Sequence, residues 1–143
     1  MSRTYEADFH SWAIEQAGAL KRRSANELDW DNLAVELETL GASEERELVA
    51  RYRVLLAHLL KWIIQPDQRS RSWTNTIANQ RDDLDDLLAR NPGLKSKEED
   101  AFTGAYRRAR RDASTETDID LDQFPVEPPF TMEQAKDEAW WPQ

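Results

Sequence analysis

The sequence predicts an all-α fold, a helical bundle of about five helices with an extended carboxy-terminal arm and a short final helix. The 143 residues include only four glycines and six prolines, so long segments are free to be helical. Apolar side chains recur at helical spacing behind residues that cap helices, and the alternation typical of strands is not evident. We expect one helical domain over residues 1–143, with the bundle at about 5–117 and the arm and final helix at about 118–143.

The first two predicted helices lie before Gly41. The first begins at Tyr5 or at Asp8, which can cap it, and ends near Arg22. Its apolar face comprises Phe9, Trp12, Ala13, Gln16 and Leu20. The second begins near Asp29 and ends at Gly41, because glycine is common just past the end of a helix. Its inward stripe comprises Trp30, Leu33, Leu37 and Leu40.

The third predicted helix carries the richest apolar seam of the chain. Ser43 is expected to cap it, and Pro66 breaks the helical pattern after it. The seam comprises Leu48, Tyr52, Leu55, Leu59 and Trp62, widened by Leu56, Leu60 and Ile63. Because only Gly41-Ala42 joins it to the second helix, we expect these two helices to form an antiparallel hairpin.

The fourth predicted helix follows the break at Pro66 and packs antiparallel to the third. Ser72 is expected to cap it, and it ends before Asn91-Pro92. Its inward stripe comprises Trp73, Ile77, Gln80, Leu84 and Leu87 or Leu88.

The fifth helix and the arm complete the prediction. Ser96 and Glu99 have capping-box spacing, and so do Thr131 and Gln134 before a last turn or two. The inward face of the fifth helix comprises Phe102, Ala105, Tyr106, Ala109 and Ala113. Residues 118–130 mix acids, apolar residues and prolines, which predicts an extended arm. The apolar residues expected to press this arm on the bundle are Ile119, Leu121 and Phe124.

Composition excludes several classes of function. The net charge of -9 opposes general attraction to nucleic acid or to anionic membranes. The chain has no cysteine, which excludes disulfides, thiolate catalysis and cysteine-ligated zinc. Its first residues lack the apolar stretch of a secretion signal, and no apolar segment is long enough to cross a bilayer. We therefore expect a cytoplasmic protein without membrane attachment.

Six residues around the loop between the third and fourth helices form a candidate site for a small anionic ligand or substrate. They are His58, Lys61, Trp62, Arg69, Arg71 and Trp73. Arginine stacked on aromatic rings is suited to binding carboxylate, phosphate or a partner protein. In the structural interpretation, the tryptophans pin the loop and the arginines neutralise the negative carboxy end of the third helix. The sequence leaves both interpretations open.

His58 stands among leucines and an alanine, so a buried imidazole there needs a hydrogen-bond partner. Helix lengths make Glu36 a poor partner and favour one from the first helix, the fourth helix or the arm. His58 is then either a satisfied structural histidine or a titrating group in a functional site. Because His10 lies on a different helix, paired histidine spacing for a metal is missing, and we expect no metal and no cofactor.

A basic run on the fifth helix is the one feature that favours nucleic-acid binding. It comprises Arg107, Arg108, Arg110 and Arg111. Helical spacing spreads these side chains around the helix, and pairing with an acidic run on the fourth helix explains them at least as well. That acidic run comprises Asp82, Asp83, Asp85 and Asp86.

The absence of recognisable catalytic motifs from the sequence favours a binding protein over an enzyme. No glycine-rich phosphate loop, nucleophile elbow or serine–histidine–acid arrangement is evident. The chain has six tryptophans, a residue enriched where interfaces concentrate binding energy. We therefore expect a non-enzymatic helical module that interacts with another protein or with itself, or that regulates one. Binding of a small anionic ligand stays the alternative.

An ordered set of motifs spans nearly the whole chain. It includes Tyr5-Glu6-x-Asp8-Phe9-x-x-Trp12, Asp31-Asn32-Leu33-Ala34-x-Glu36-x-Glu38-x-Leu40-Gly41, Leu55-Leu56-Ala57-His58-Leu59-Leu60-Lys61-Trp62, Gln65-Pro66 and Arg69-Ser70-x-Ser72-Trp73. Later members are Ile77, Gln80-Arg81, Tyr106-x-x-Ala109-Arg110, Phe124-Pro125 and Pro129-Phe130-Thr131. This set resembles bacterial proteins of domain-of-unknown-function family 29, common in cyanobacteria. The resemblance implies a helical fold and a bacterial cytoplasmic setting, and it carries over no catalytic residue.

Overall fold

A computed structural model describes residues 3–143, and it confirms the all-α bundle. The helices of these residues are α1 Arg3–Ala7, α2 Phe9–Arg22, α3 Trp30–Ile64, α4 Arg71–Arg90, α5 Glu98–Thr117 and α6 Met132–Lys136. Short 3-10 segments lie at Ala25–Glu27, Pro66–Gln68, Pro92–Lys97 and Leu121–Gln123. The chain divides into two compact units, residues 1–43 and 44–143, which we call the amino-terminal and carboxy-terminal units. One domain over the whole chain stays a prediction, because compactness of a unit does not establish that it folds alone.

In the amino-terminal unit, Asp8 separates α1 from α2. Its carboxylate accepts a hydrogen bond from the Ser11 backbone N–H at 3.0 Å, which confirms Asp8 as a helix cap. α2 ends at Arg22, and the next residue, Arg23, adopts a left-handed backbone conformation with φ 57°. The chain then turns back toward α2, and the residue before α3 contacts that helix: the Asp29 carboxylate accepts from the Trp12 indole N–H at 3.0 Å.

The prediction of a helix break at Gly41 is wrong, since α3 runs without interruption over 35 residues. The second and third predicted helices are therefore one helix and form no hairpin. Glycine inside a helix costs only about 1 kcal/mol relative to alanine, and no proline lies nearby to remove a backbone donor. Ser43 does not cap a helix. Its hydroxyl donates to the Leu40 carbonyl oxygen at 2.7 Å, within α3.

The stripe predicted to face inward on the first part of α3 is present but largely exposed. Trp30 is 62% exposed, Leu37 66% and Leu40 64%, while Leu33 is partly buried. The expectation of a buried stripe is therefore wrong for the described residues of this unit. The short helices α1 and α2 cover only part of the surface of α3, and residues 3–43 include no further long helix to cover the rest.

The second part of α3 forms the centre of the carboxy-terminal core, as its seam predicts. Six of its side chains are fully buried: Leu48, Tyr52, Leu55, Leu56, Leu59 and Leu60. Contacts with α4 run in opposite directions along the two helices, since Arg51 meets Asp83 and the later Lys61 meets the earlier Trp73. The Arg51 guanidinium lies 3.1 Å from the Asp83 carboxylate, and the Lys61 ammonium lies over the Trp73 ring at 5.5 Å. The two helices are antiparallel, as expected.

Besides Ser43, two further predicted caps are wrong. Ser70, not Ser72, caps α4, because its hydroxyl accepts from the Trp73 backbone N–H at 3.2 Å as soon as the Pro66–Gln68 turn ends. Ser96 does not cap α5, since it lies within the 3-10 segment that precedes the helix and donates to the Gly93 carbonyl oxygen. The buried face of α5 is nevertheless the predicted one.

The arm is held on the carboxy-terminal unit by aromatic side chains. Phe124 and Phe130 are buried, while Ile119 packs against the core. We expected Leu121 to press on the bundle, but its side chain is 37% exposed. Its contact with the bundle is made by the backbone, whose carbonyl oxygen accepts from Arg110. The capping box of Thr131 and Gln134 is present and starts α6, as the spacing predicts.

Candidate functional site

His58 lies partly exposed on α3, and its partner differs from the expected one. Its ring Nδ1 donates to the Val54 carbonyl oxygen one turn earlier, at 2.9 Å. The expectation of a partner from another helix or from the arm is therefore wrong. Burial lowers the pKa of His58, and the hydrogen bond to Val54 opposes that shift. The imidazole is satisfied within its own helix.

Lys61 is buried, and its charge is compensated inside the chain. Its ammonium lies 2.5 Å from the Glu116 carboxylate, on the last turn of α5. The same ammonium lies over the face of Trp73. A buried lysine with a carboxylate and an aromatic face is a satisfied structural group as it stands.

Arg69 closes the loop after α3. Its guanidinium stacks over the Trp62 ring at 4.7 Å, and its Nε donates to the Trp62 carbonyl oxygen at 2.9 Å. That carbonyl belongs to the last turn of α3, where backbone oxygens carry partial negative charge. Trp62 also stacks on Trp141 of the carboxy-terminal segment, with ring centroids 4.7 Å apart. Arg71 is exposed at the first residue of α4.

The structure thus joins four of the six predicted site residues into two pairs, Lys61 with Trp73 and Trp62 with Arg69. His58 is satisfied in its own helix, and Arg71 points to solvent. These contacts agree with the interpretation in which the tryptophans pin the loop. A ligand role for the six residues stays a prediction.

The basic run on α5 does not pair with the acidic run on α4 in the contacts described. Arg110 donates to the Phe124 and Leu121 carbonyl oxygens at 2.9 and 3.1 Å and so holds the arm. Asp83 pairs with Arg51 of α3 instead. Arg107 borders a groove of about 410 Å³ between α5 and the arm, next to Val126. The run is divided between an anchor for the arm and exposed side chains.

Two buried charges escaped the sequence reasoning. Arg81 is 1% exposed and donates to the Ala135 and Trp140 carbonyl oxygens at 2.8 and 2.9 Å. Glu98 accepts from the Tyr52 hydroxyl and lies 2.6 Å from the Lys136 ammonium. The signal for Arg81 was its position, since it lies one turn after Ile77 in the apolar stripe of α4. No comparable signal marks Glu98, because its partners are distant in sequence.

The amino-terminal unit leaves a group of large apolar side chains exposed that no other part of residues 3–43 covers. A groove of about 400 Å³ opens between α2 and α3. It is lined by Phe9, Trp12, Ala13, Gln16, Ala17, Leu20, Leu33, Glu36 and Leu40. Phe9 and Leu20 are 49% and 53% exposed, and Leu40 on α3 is more exposed still. We call this surface the amino-terminal groove.

Both polar residues of the groove are used inside the unit. The Gln16 side-chain oxygen accepts from the Asp29 backbone N–H at 2.7 Å. The Glu36 carboxylate accepts from the Tyr5 hydroxyl at 2.5 Å, a hydrogen bond that raises the pKa of Tyr5. The groove therefore offers mainly hydrocarbon and aromatic surface to whatever binds there.

Neither a metal-binding cluster nor a membrane-spanning helix is found in the described part of the chain. Within residues 3–143, no cluster of three or more His, Cys, Asp or Glu side chains is arranged to hold a metal ion. No helix of the described chain has both the length and the apolar character needed to cross a membrane. The amino-terminal groove is the strongest candidate for a binding surface.

Comparisons with known proteins identify a family but no activity. No curated protein matches the chain, and no solved structure does. A family model described as Domain of unknown function DUF29 matches residues 4–141. The match covers nearly the whole chain and agrees with the resemblance that the motifs indicated. The chain therefore belongs to the family Domain of unknown function DUF29.

Proposed function

We propose that this chain is a protein-interaction module whose binding surface is the amino-terminal groove. The observation that supports it is the exposure of large apolar side chains within one small unit. Phe9, Leu20, Trp30, Leu37 and Leu40 are each about half exposed or more. Monomeric soluble proteins rarely expose contiguous apolar patches of more than a few hundred Å², and larger ones mark interaction sites.

The chemistry of the groove favours a protein partner over a small polar ligand. Sites for small ligands combine apolar walls with a few polar groups that orient the ligand. Gln16 and Glu36 already make hydrogen bonds within the unit, so apolar contact dominates what the groove offers. An amphipathic helix laid into an apolar groove is a common mode of recognition that uses such contact. The bacterial cytoplasm is the setting proposed, on the motif resemblance alone.

Affinity capture with matched variants tests the proposal. The tagged chain, the double variant Leu20→Gln with Leu40→Gln, and the control Val126→Gln would each be expressed in the native organism beside the untagged chain. Val126 is 73% exposed, but it lies in the arm and outside the groove. We expect the tagged chain and the control to recover the same partner and the double variant to lose it. Equal recovery by all three proteins would contradict the proposal.

A further inference from the structure

We infer that the partner of the amino-terminal groove is a second copy of this chain, paired through α2 and the first part of α3. The inference rests on the proposed function and names its partner. The amino-terminal unit spans only 43 residues and has no cysteine that could stabilise it. Units this small usually depend on disulfides, metals or oligomerisation for a sufficient core. Two copies of α2 and α3 would supply the four helices of a bundle.

The apolar pattern of the unit is self-complementary. In a two-fold pair the same surface is used by both copies, so an apolar stripe meets its own counterpart. α2 presents Phe9 and Leu20 on either side of the small residues Ala13 and Ala17. Small residues at the centre of a helix face allow close approach, and larger residues at its ends fill the space on either side.

Charge along α1 and α2 selects an antiparallel pairing. Glu6 and Asp8 lie at the amino end of α2, and hydrogen bonds from Ser11 lower the pKa of Asp8, so its carboxylate stays charged. At the other end Lys21 lies in the last turn of α2 and Arg23 follows that helix, while Arg22 between them is paired with Glu27 at 3.2 Å. The two ends are about 20 Å apart at 1.5 Å per residue.

An antiparallel pair therefore places the acidic end of each α2 opposite the basic end of the other. It also places the positive end of each helix dipole beside the negative end of the other, which is favourable. A parallel pair would instead place like charges together at both ends, which suppresses that arrangement. The charge pattern thus supports a second copy and gives its orientation.

Sedimentation of the full-length chain is the first part of the test. We expect a dimer at micromolar concentration, and we expect Leu20→Gln with Leu40→Gln to raise the dissociation constant at least about tenfold. The variant Val126→Gln should sediment as the unchanged chain does. Circular dichroism checks that all three proteins keep their helical content. A wild-type chain that stays monomeric up to about 100 µM would overturn the inference.

Disulfide trapping tests the orientation, because a single introduced cysteine is unique in this chain. The charge pattern on α1 and α2 is centred near position 15, and Ala13 and Ala17 line the groove on either side of that point. An antiparallel pair therefore places Ala13 of one copy opposite Ala17 of the other, so a mixture of Ala13→Cys and Ala17→Cys should give more linked dimer on mild oxidation than either variant alone. Ile14 is 62% exposed on the other side of α2, so Ile14→Cys is the matched control. Equal or stronger linkage through Ile14→Cys would overturn the proposed pairing.

The two proposals fail in different ways. A monomeric chain whose groove variant still loses a different captured protein would overturn self-association and leave the interaction module standing. A monomeric chain whose groove variant loses nothing would overturn both. A dimer that the groove substitutions leave intact would overturn the inference that the groove forms its interface.

Discussion

The two parts of α3 have similar apolar periodicity and opposite environments. In the carboxy-terminal unit, Leu55 and Leu59 are fully buried among α4, α5 and the arm. In the amino-terminal unit, Leu37 and Leu40 on the same helix are 66% and 64% exposed. A helical stripe therefore tells which face of a helix seeks burial, but it does not tell what covers that face. In this chain the carboxy-terminal stripe is covered from within, and we propose that the amino-terminal stripe is covered by another molecule.

The largest expected effect separates the two stripes directly. Leu55→Ala should lower the free energy of unfolding by about 2–5 kcal/mol, because it removes buried contacts and leaves a cavity. Leu37→Ala should change it by less than about 0.5 kcal/mol in dilute protein, where any dimer has dissociated. Urea titration followed by circular dichroism measures both. Similar losses in the two variants would mean that the exposed stripe is buried within the monomer.

A smaller effect is expected where the carboxy-terminal unit holds its own arm. Arg81→Met should lower the free energy of unfolding by about 2 kcal/mol, because one buried and one partly buried carbonyl oxygen lose a charged donor. Protease cleavage within residues 118–143 should also become faster. Arg71→Met on the exposed first turn of α4 is the matched control. An arm that stays equally resistant in both variants would show that its apolar contacts suffice.

A substitution at Gly41, between the two stripes, is expected to raise the free energy of unfolding and not to lower it. A side chain at Gly41 would meet nothing within 4 Å, and the residue lies inside α3. Gly41→Ala should therefore raise stability by roughly 0.5–1 kcal/mol, through the lower entropy of the unfolded chain. Gly104→Ala in α5 meets equally open space and should act alike. A loss of stability at Gly41 alone would indicate that the helix is interrupted there.

The smallest effect concerns pH. Because burial lowers the pKa of His58 below its usual 6.5, the unfolded chain binds this proton more readily than the folded chain. The contribution of the neutral, buried His58 to the free energy of unfolding is therefore fully present above pH 6.5 and is lost as pH falls toward the pKa of the folded state. His58→Gln should reduce the loss of stability between pH 7.5 and 5.5, and His10→Gln is the control; urea titrations at both pH values measure it. An unchanged pH dependence in His58→Gln would contradict the lowered pKa.

The candidate site illustrates how far residue type can be read from sequence. Lys61, Trp62, Arg69 and Trp73 do come together around one loop, as their sequence spacing suggested. Their partners Glu116 and Trp141 lie about 55 and 79 positions away along the chain, so no local pattern could name them. These partners give Lys61 and Trp62 contacts inside the chain, while a ligand role for the six residues stays a prediction.

The sequence by itself determined the local features of this protein. Its helical spacing, the cap at Asp8, the capping box of Thr131 and Gln134 and the buried seam of α3 all depend on residues within a few turns of one another. Only the tertiary structure decided whether α3 continues through Gly41, because a cost of about 1 kcal/mol is easily outweighed by packing elsewhere. It also decided which stripe is covered, since burial depends on elements that are far apart in the chain.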